Sequence, residues 1–580
     1  MSRKHIQEEP RIASKTSAMT RDDRINSEDP DVGRRNFLKG AAAGVGAAVV
    51  GGGVPAQANA QEPTAGDAGA EWDRSVDVLV AGSGNGGMSA GLAAADAGAN
   101  TMVVEIGPVV GGNTLMSLGV MHTNGQRTWE AYNKYTEGLH DQVLAKVYIE
   151  TFWNEYIPWL KSMGAYMSRP SPDDPGPTGD WWLGKGEPGL LGHKLYFDSL
   201  VRAYEAKRGS ILRQTRVRKL LTDNEGNVIG VRAQVWEKHP REERQKWVNI
   251  KAKKVILAIG GWIMDGERKA RYLGQDGHRT GHSCGPFSSG EGLDMAQAAG
   301  AALSQTGWTT FTAFLACLTA KPQLNADLDQ MLRLWRDVPP KDWVEPYGRG
   351  RLFPPAWVSF TPNAQGGILV NNFGERFIDE SSPLLAKYAR TPVAVARQPG
   401  GFAWGIADHK IHSATQGAEA ALQKVIAEGG TIGTHGNVII AQTLDEFASA
   451  LGRAAVYKGA FLKTIEEYNR AVDEGTLDRL SVSHYTGDGV VGHPIRTGPF
   501  YGVPVAASPY MIHGGLRINA DAQVLDAQDV PVPNLYAPPP LGGGIQNVIY
   551  MGAIAQAGTF GFRAAKHAVA ALAPNRRRIT

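Results

Sequence analysis

The sequence predicts an α/β protein of two domains. Its 580 residues are more than one hydrophobic core usually spans, so a second domain is expected. From residue 76 an apolar strand pattern, a glycine-rich loop, a helix pattern and a second strand follow one another, which is the order of an α/β unit. A content of 42% hydrophobic and 20% charged residues is ordinary for a folded globular chain.

Charge and cysteine content exclude several function classes. The formal net charge is +3 and no basic stripe occurs, so we predict no nucleic-acid binding. The chain has two cysteines, Cys284 and Cys317, and no CxxCH segment, which excludes an attached c-type haem and an iron–sulfur cluster. We predict no metal site, and a quinone or cytochrome that exchanges electrons with this protein would be a separate molecule.

The N-terminal 60 residues resemble a signal for the twin-arginine (Tat) translocase. Arg34-Arg35 is followed by Asn-Phe-Leu-Lys, then by the weakly apolar stretch Gly40–Val54 and the small-x-small site Ala58–Ala60. An interfacial helix or a membrane anchor is the alternative, but Gly40–Val54 is too short and too rich in glycine and alanine to span a bilayer. We therefore predict export by Tat to the periplasm, with a mature chain that starts near Gln61.

A dinucleotide-binding unit is predicted between residues 76 and 105. Val76–Ala81 is a β-rich apolar run, the next loop satisfies GxGxxG, and a helix is expected from about Gly87 to Ala97. The three glycines allow a tight turn, close approach of a pyrophosphate, and packing of the helix on the strand. The helix N-terminus favours phosphate, and the acidic residue that ends Thr101–Glu105 suits the adenosine ribose. The candidate residues are Gly82, Ser83, Gly84, Gly86, Gly87 and Glu105.

A second glycine-rich element favours FAD over NAD. Gly111, Gly112, Asn113 and Thr114 form a GG-x-[ST] sequence soon after the ribose anchor. This sequence resembles the loop that packs beside the flavin in FAD-binding proteins of two domains.

Later motifs extend this resemblance over nearly all of the chain. They are, in order, Thr215–Val217 with Gly226–Val231, Lys254–Gly261, Ser289–Ala296, Gly366–Asn371 with Gly374–Glu380, Thr443–Glu446, Thr464–Asn469, Asn534–Ala537 and Phe560–Ala564. Together they resemble the family of fumarate reductases and 3-ketosteroid dehydrogenases. The resemblance implies a Rossmann-like FAD-binding domain of discontinuous segments, here 61–308 and 491–580, and an inserted α+β cap domain, here 309–490. The flavin would lie between the two.

The same resemblance implies further cofactor residues. Val217 would meet the adenine edge, and the start of the closing helix would direct N–H groups at the flavin, where they stabilise its anionic reduced form. Asn113 stands where the covalently flavinylated branch carries histidine, so we expect non-covalent FAD. Pro538–Pro540 replaces a polar contact, which leaves backbone groups to bind the flavin there. The added candidates are Val217, Gly260, Gly261, Gly552, Ala553 and Ile554.

The chemistry is predicted from residues that the family branches require. Leu384 stands where the fumarate reductase branch has its proton-donating arginine, so a small dicarboxylate is disfavoured. In the ketosteroid dehydrogenase branch one tyrosine polarises the substrate carbonyl and a second removes the α-proton. Tyr550 matches the first in kind. Leu384 also occupies the position of the second, so Tyr388 or Tyr510 would replace it, and His513 is a candidate for substrate contact.

Each of these residues also has a structural interpretation. Tyr550 could pack beside the flavin without contacting the substrate, and Tyr388 could serve the fold alone. His513 could hydrogen-bond backbone groups and have no contact with the substrate. Bulky side chains of the cap suit a cyclic or aromatic-sized substrate, or else they form ordinary cap core. These are Trp181, Trp182, Trp308, Phe311, Phe314, Trp335, Trp343, Trp357 and Phe360.

The leading functional hypothesis is an exported FAD-dependent dehydrogenase that desaturates a cyclic carbonyl compound between its α- and β-carbons. One alternative is the reverse reaction, reduction of a conjugated C=C bond with electrons from an external cytochrome or quinol. A non-catalytic flavoprotein is the second alternative, because the arginine and the base tyrosine are missing at Leu384.

Overall fold

The computed structural model describes most of the chain after residue 66. The described residues are 67–117, 119–168, 181–183, 190–238, 243–274, 288–304, 309–315, 366–380, 391–414, 438–484, 492–546 and 550–572. The predicted export signal, Tyr388, Leu384, Trp308, Trp335, Trp343, Trp357 and Phe360 lie outside them. Within the described ranges, no helix is both long enough and apolar enough to cross a membrane.

The strands of the described residues are mostly short, and the two longest, of 15 and 13 residues, lie near residues 250 and 505. They are β1 Arg74–Ala81, β2 Thr101–Val104, β3 Val120–Met121, β4 Met167–Ser168, β5 Trp181–Leu183, β6 Ser210–Leu212, β7 Thr215–Thr222, β8 Val228–Lys238, β9 Glu243–Leu257, β10 Leu303–Ser304, β11 Thr309–Leu315, β12 Ile368–Val370, β13 Phe402–Ala407, β14 Ile439–Ala441, β15 Phe500–Ile512, β16 Gly515–Leu516, β17 Gln523–Leu525 and β18 Pro531–Tyr536.

Twelve α-helices lie between and after these strands in the described residues. They are α1 Asn85–Asp96, α2 Trp129–Tyr135, α3 Gln142–Thr151, α4 Ile157–Ser162, α5 Leu190–Ala206, α6 Gly266–Leu273, α7 Glu291–Ala298, α8 Thr391–Ala396, α9 His409–Ala414, α10 Leu444–Arg453, α11 Lys458–Glu474 and α12 Ala553–Ala570. A π-helical turn, Phe152–Tyr156, joins α3 to α4.

The main sheet has eight strands and holds the predicted dinucleotide unit at its centre. Its order is β17-β18-β9-β1-β2-β6, and the β7–β8 hairpin pairs with β9. β1 is parallel to β2 and to β9, and all four residues of β2 are buried, as expected for the interior of a parallel sheet. The fold is therefore the predicted α/β class, with the carboxyl ends of β1, β2 and β9 meeting at one edge.

A second, antiparallel sheet has the order β11-β15-β13-β12, with β14 also paired to β15. It has its own hydrophobic core, which includes Trp404, Phe447 and Phe461 and also Ile495, Phe500 and Val503. This core thus continues past residue 490. The predicted division at 308 and 490 stays a prediction.

Helix α1 begins earlier than predicted. Asn85 is its first residue and Gly84 its N-cap, so the predicted start at Gly87 is wrong by two residues. Almost all of α1 is buried, because it packs between the sheet and α12. Gly86 and Gly561 make this crossing close, since a Cβ on either would lie within contact distance of the other helix's backbone oxygen.

Candidate cofactor and substrate site

The loop between β1 and α1 needs glycine at two positions because of the protein's own packing. Gly82 has φ +93°, and a Cβ there would collide with the carbonyl oxygen of Ala258 in the turn after β9. A Cβ on Gly87 would collide in the same way with the carbonyl oxygen of Gly82. These two residues therefore form the tight turn and the helix–strand contact.

Gly84 differs from its neighbours in the loop. The nearest protein atom to a Cβ at this position would be the Thr114 Oγ1, 3.7 Å away, so protein packing does not require glycine. The open space at Gly84 lies in the cleft described below. A ligand that approaches the backbone closely explains this glycine.

Glu105 is a buried carboxylate that fixes the loop. One of its oxygens accepts the Ser83 N–H at 2.9 Å and the Ser83 hydroxyl, and the other accepts the Gly107 N–H at 2.6 Å. Burial raises the pKa of Glu105, and these hydrogen bonds oppose that shift. The sequence predicts a ribose contact for Glu105, and the structure adds a bond to the loop itself.

The second glycine-rich element packs directly on the first. The Gly111 N–H donates to the Ser83 hydroxyl at 3.1 Å, and the Thr114 hydroxyl accepts the Asn85 N–H at 3.1 Å. Asn113 donates through its amide nitrogen to the Ser288 hydroxyl at 2.8 Å. Its buried Oδ1 has no partner among the described residues, so it is placed to accept a hydrogen bond from a ligand.

A cleft with about 930 Å³ of space between protein atoms, part of it open to solvent, lies where these segments meet. Pro539 and Pro540 form part of its wall, where the sequence predicts that backbone groups replace a polar contact. The predicted cofactor residues that line it are Gly82, Ser83, Gly84, Gly86, Glu105, Gly112, Asn113, Thr114, Val217, Gly260 and Gly261. Those that do not line it are Gly87, Gly111, Gly552, Ala553 and Ile554.

The cleft also has a charged wall that sequence reasoning missed. Arg216 donates through Nε to Glu291 at 3.0 Å and makes a second bond through its terminal nitrogen, and Arg218 joins at 2.9 Å. Arg216 starts the β7–β8 hairpin and Glu291 begins α7, 75 positions later. Both belong to motifs that identify the family, but no local pattern predicts that they form an ion pair.

Asn85 joins the starts of two helices and was also missed. Its amide nitrogen donates to the Ile554 carbonyl in α12 at 2.8 Å, and its amide oxygen accepts the Tyr196 hydroxyl at 2.7 Å. The Tyr156 hydroxyl lies 2.8 Å from the Ser89 hydroxyl in the same buried network. The variable position of GxGxxG thus fixes α12 on α1.

The start of α12 differs from the prediction in one respect. The Ala553 N–H donates to the Tyr550 hydroxyl oxygen at 3.0 Å, so it does not point freely at a flavin. The phenol acts as an N-terminal cap, while Gly552 has φ +89° and is the N-cap residue.

Within the described part of the chain, the other catalytic candidates do not form one site. His513 follows β15 and is 2% exposed, and its carbonyl accepts the Gly544 N–H at 3.1 Å. Burial lowers the pKa of His513 to about 3, so the imidazole is neutral at pH 7. Tyr510 lies in β15, of which only the backbone is described there, and Tyr388 lies outside the described ranges. Their roles stay predictions.

The residues of the cleft fit FAD. Gly84 leaves room for a ligand against the backbone, Asn113 Oδ1 has no partner within the described ranges, and the α1 N-terminus lies at the cleft with its positive dipole end. Gly82 to Gly86 and Thr114 would hold the pyrophosphate, and Glu105 and Val217 the adenosine.

Comparison with known proteins agrees with this interpretation. A family model described as FAD binding domain matches residues 77–320 and 352–538. A probable fumarate reductase of Shewanella frigidimarina is 27% identical over 516 residues, covering 85% of this chain and 75% of that protein. A urocanate reductase of Eggerthella lenta is 24% identical over 493 residues, covering 80% of this chain and 69% of that protein.

Solved structures share the fold. The open conformation of a flavocytochrome c3 fumarate reductase has a TM-score of 0.62 at 22% identity, covering 94% of this chain and 81% of that one. A 3-ketosteroid-Δ4-(5α)-dehydrogenase from Rhodococcus jostii has a TM-score of 0.60 at 21% identity, covering 87% and 99%. Because the family model spans well over half of the chain, this protein belongs to the FAD-binding domain family, binds FAD and is an FAD-dependent oxidoreductase.

Proposed function

We propose that this enzyme dehydrogenates a cyclic carbonyl compound between the α- and β-carbons. Tyr550 carries the proposal: its hydroxyl oxygen accepts the Ala553 N–H, which fixes a phenol at the start of α12, and a phenol O–H is a group that can polarise a substrate carbonyl. An N–H bonded to the phenol oxygen also stabilises negative charge on it, which makes Tyr550 a stronger donor.

The substrate class follows from the charge of the candidate groups. Tyr550 is a phenol, and His513 is neutral at pH 7 because burial lowers its pKa to about 3. Leu384 offers no cation where the fumarate reductase branch has arginine. A neutral carbonyl compound suits these groups better than a dicarboxylate, which would require cationic partners.

Bound FAD supplies the two-electron acceptor for the hydrogen that leaves the β-carbon. The chain's own contribution is to hold the carbonyl against Tyr550, because polarising the carbonyl makes the α-proton acidic. The network of Asn85, Tyr156 and Tyr196 fixes α12, and with it the cap that Tyr550 forms, against the cofactor cleft.

Reduction of a conjugated C=C bond is the second candidate, favoured by the names of the sequence relatives. They include fumarate reductases, a urocanate reductase and a vinyl phenol reductase. The two reactions are the same half-reaction in opposite directions. For either one we propose a periplasmic enzyme, exported by Tat, whose electron partner is a separate quinone or cytochrome.

Anaerobic mixing of the FAD-loaded enzyme with two ligand sets tests the proposal. Cyclohexanone or a saturated ketosteroid should bleach the oxidised flavin band. If cyclohexenone or cinnamate reoxidises the reduced enzyme while no ketone bleaches the oxidised one, dehydrogenation is wrong and reduction replaces it. Silence in both directions leaves a non-catalytic flavoprotein.

Tyr550→Phe tests the carbonyl donor. The variant should bleach at least about 100-fold more slowly, because it loses a hydrogen bond that strengthens as charge develops. Tyr536→Phe is the control: it also removes a buried phenol hydroxyl, which lies 2.9 Å from His567 Nδ1, but away from the α12 start. A Tyr550→Phe rate equal to that of the control would remove Tyr550 from the mechanism.

A further inference from the structure

The side chains of Tyr388 and Tyr510, the predicted candidates for removing the α-proton, lie outside the described residues. The structure offers another candidate, His122, beside Tyr550. His122 directly follows β3, and its ring lies 5.1 Å from the Tyr550 ring, tilted by 57°. No sequence motif singles out His122. It comes from the segment after the GG-x-[ST] element, 428 positions before the tyrosine it contacts.

Backbone contacts hold His122 and Tyr550 in place. The Asn124 amide donates to the Tyr550 carbonyl at 2.7 Å. The Tyr148 hydroxyl lies 3.3 Å from the His122 carbonyl and 2.9 Å from the Met551 carbonyl. A Cβ on Gly552 would collide with the His122 carbonyl, so this glycine permits the close approach of the two segments. Several independent contacts therefore fix His122 and Tyr550 beside each other.

The surroundings of the His122 imidazole decide which of its nitrogens can meet a substrate. The amide nitrogen of Asn124 contacts the Tyr550 carbonyl and the Met551 sulfur, so its amide oxygen is the group of this side chain that can accept an N–H. His122 is 8% exposed, and its Nδ1 has no hydrogen-bond partner among the described residues. In a neutral imidazole with one N–H engaged, the other nitrogen carries a lone pair.

From this geometry we infer that His122 Nδ1 is the base that takes the α-proton from the substrate while Tyr550 binds the carbonyl. The inference rests on the proposed function. The α-C–H bond breaks and its proton moves to Nδ1. Its electron pair forms the C=C bond as the β-carbon gives up a hydride to the acceptor that bound FAD supplies. The two electrons then leave for the external quinone or cytochrome. In the reverse direction the same nitrogen protonates the α-carbon.

The protonation state of His122 agrees with this role. Burial lowers its pKa to about 4, opposed by the hydrogen bond with Asn124, so the ring is unprotonated at pH 7. The same shift makes it a weaker base, so proton transfer requires the acidity that a polarised carbonyl gives the α-carbon. A substrate that occupies the site would give the buried Nδ1 a hydrogen-bond partner.

His122→Phe and His122→Gln, both loaded with FAD, test the inference. Phe keeps a ring against Tyr550, and Gln keeps a polar side chain, but neither has a basic nitrogen. Both should retain stoichiometric FAD and bind cyclohexenone with a Kd within about 5-fold of wild type, measured by the shift of the oxidised flavin band. Bleaching by the ketone that reacts with wild type should slow by at least about 100-fold in both.

His140→Phe is the matched control. His140 is also 8% exposed, packs on an aromatic ring, Tyr132, and has a buried Nε2 without a partner among the described residues, but its contacts lie at α2. The oxidised flavin band of His140→Phe should bleach at the wild-type rate. A rate within 10-fold of wild type in either His122 variant, or loss of FAD from both, overturns the inference. If wild type itself reacts with no ketone and no enone, the proposed function fails first, and the inference with it.

Discussion

Glu380 shows at the scale of single residues how a buried charge is held. It receives two hydrogen bonds from Arg376, at 3.1 and 2.5 Å, and the Leu369 N–H at 2.7 Å, and its side chain is 2% exposed. Burial alone would raise the pKa of Glu380, but the charge of Arg376 and hydrogen bonding with His484 and Arg376 lower it to about 2. The arginine and the glutamate of the motif Gly374–Glu380 therefore form one buried ion pair, and this pairing explains their presence in the motif.

We predict that Glu380 makes the fold sensitive to acid. Because its pKa of about 2 in the folded protein is below the ordinary 4.5, its stabilisation is complete above pH 4.5 and is lost as the pH falls towards 2. Glu380→Gln should lower the free energy of unfolding by about 3 kcal/mol at every pH above 4.5, and by progressively less as the pH falls from 4.5 towards 2. Urea unfolding at a series of pH values measures both.

Glu467→Gln is the control for that series. Glu467 pairs with Lys463 at 3.7 Å, but both side chains are largely exposed, so the change should cost less than about 1 kcal/mol at any pH. A constant gap between wild type and Glu380→Gln down to pH 3 would show that the ion pair is not the acid-sensitive element.

Residues within one short segment could be assigned from sequence, and partners from distant segments could not. Gly82, Gly87 and Glu105 belong to one contiguous βαβ unit, where spacing alone fixes the geometry. His122 with Tyr550 and Arg216 with Glu291 meet through the fold, and the single sequence holds no signal for either pair. The capping role of the Tyr550 hydroxyl likewise depends on the exact turn before α12.

At the scale of elements, the crossing of α1 and α12 decides whether the cofactor cleft forms. α1 supplies the phosphate-facing N-terminus, and α12 supplies Ala557 to the cleft wall. The sequence predicts α1 from its small and apolar residues, and the family resemblance implies α12. It does not predict their contact, because glycines such as Gly86 and Gly561 favour a close approach only when a partner helix is present.

Gly561→Ala should damage this crossing. A Cβ there would overlap the carbonyl oxygen of Gly86, so α12 must shift, and we expect a loss of roughly 1–3 kcal/mol in stability together with weaker FAD retention. Urea unfolding and the flavin-to-protein absorbance ratio measure the two effects.

The comparison for that variant is Gly459→Ala in α11. A Cβ at Gly459 has no atom within 4 Å, so the change should be neutral or stabilise by up to about 1 kcal/mol, with full flavin content. Equal behaviour of the two alanine variants would refute a packing role for Gly561.

At the scale of the whole molecule, FAD is expected to be part of the stability of the fold. The cleft joins β1, β2, β7, β9, α1, α7 and α12, so a ligand there contacts segments from residue 82 to residue 557. A ligand that binds only the folded state adds about 2.7 kcal/mol at 100 times its Kd. The order of the motifs predicts that these segments meet at the cofactor. The domain boundaries at 308 and 490 stay predictions.

Removal of FAD should lower Tm, and two glycine variants should separate binding from folding. Gly84→Ala meets no protein atom closer than 3.7 Å, so its apoprotein should melt at the wild-type apoprotein temperature but gain little from added FAD. Gly82→Ala collides with Ala258 at φ +93°, so its apoprotein should already melt lower. Thermal melts with and without FAD provide the comparison. A normal FAD-dependent gain in Gly84→Ala would place the pyrophosphate elsewhere.

The bond between Asn85 and the Ile554 carbonyl spans 469 positions of the chain. During synthesis the glycine loop leaves the ribosome long before α12 is made. The cleft therefore cannot reach its final form on the growing chain. Tight uptake of FAD has to follow translation of α12, so the flavin content of a preparation reports whether its molecules carry a correctly docked C-terminal helix.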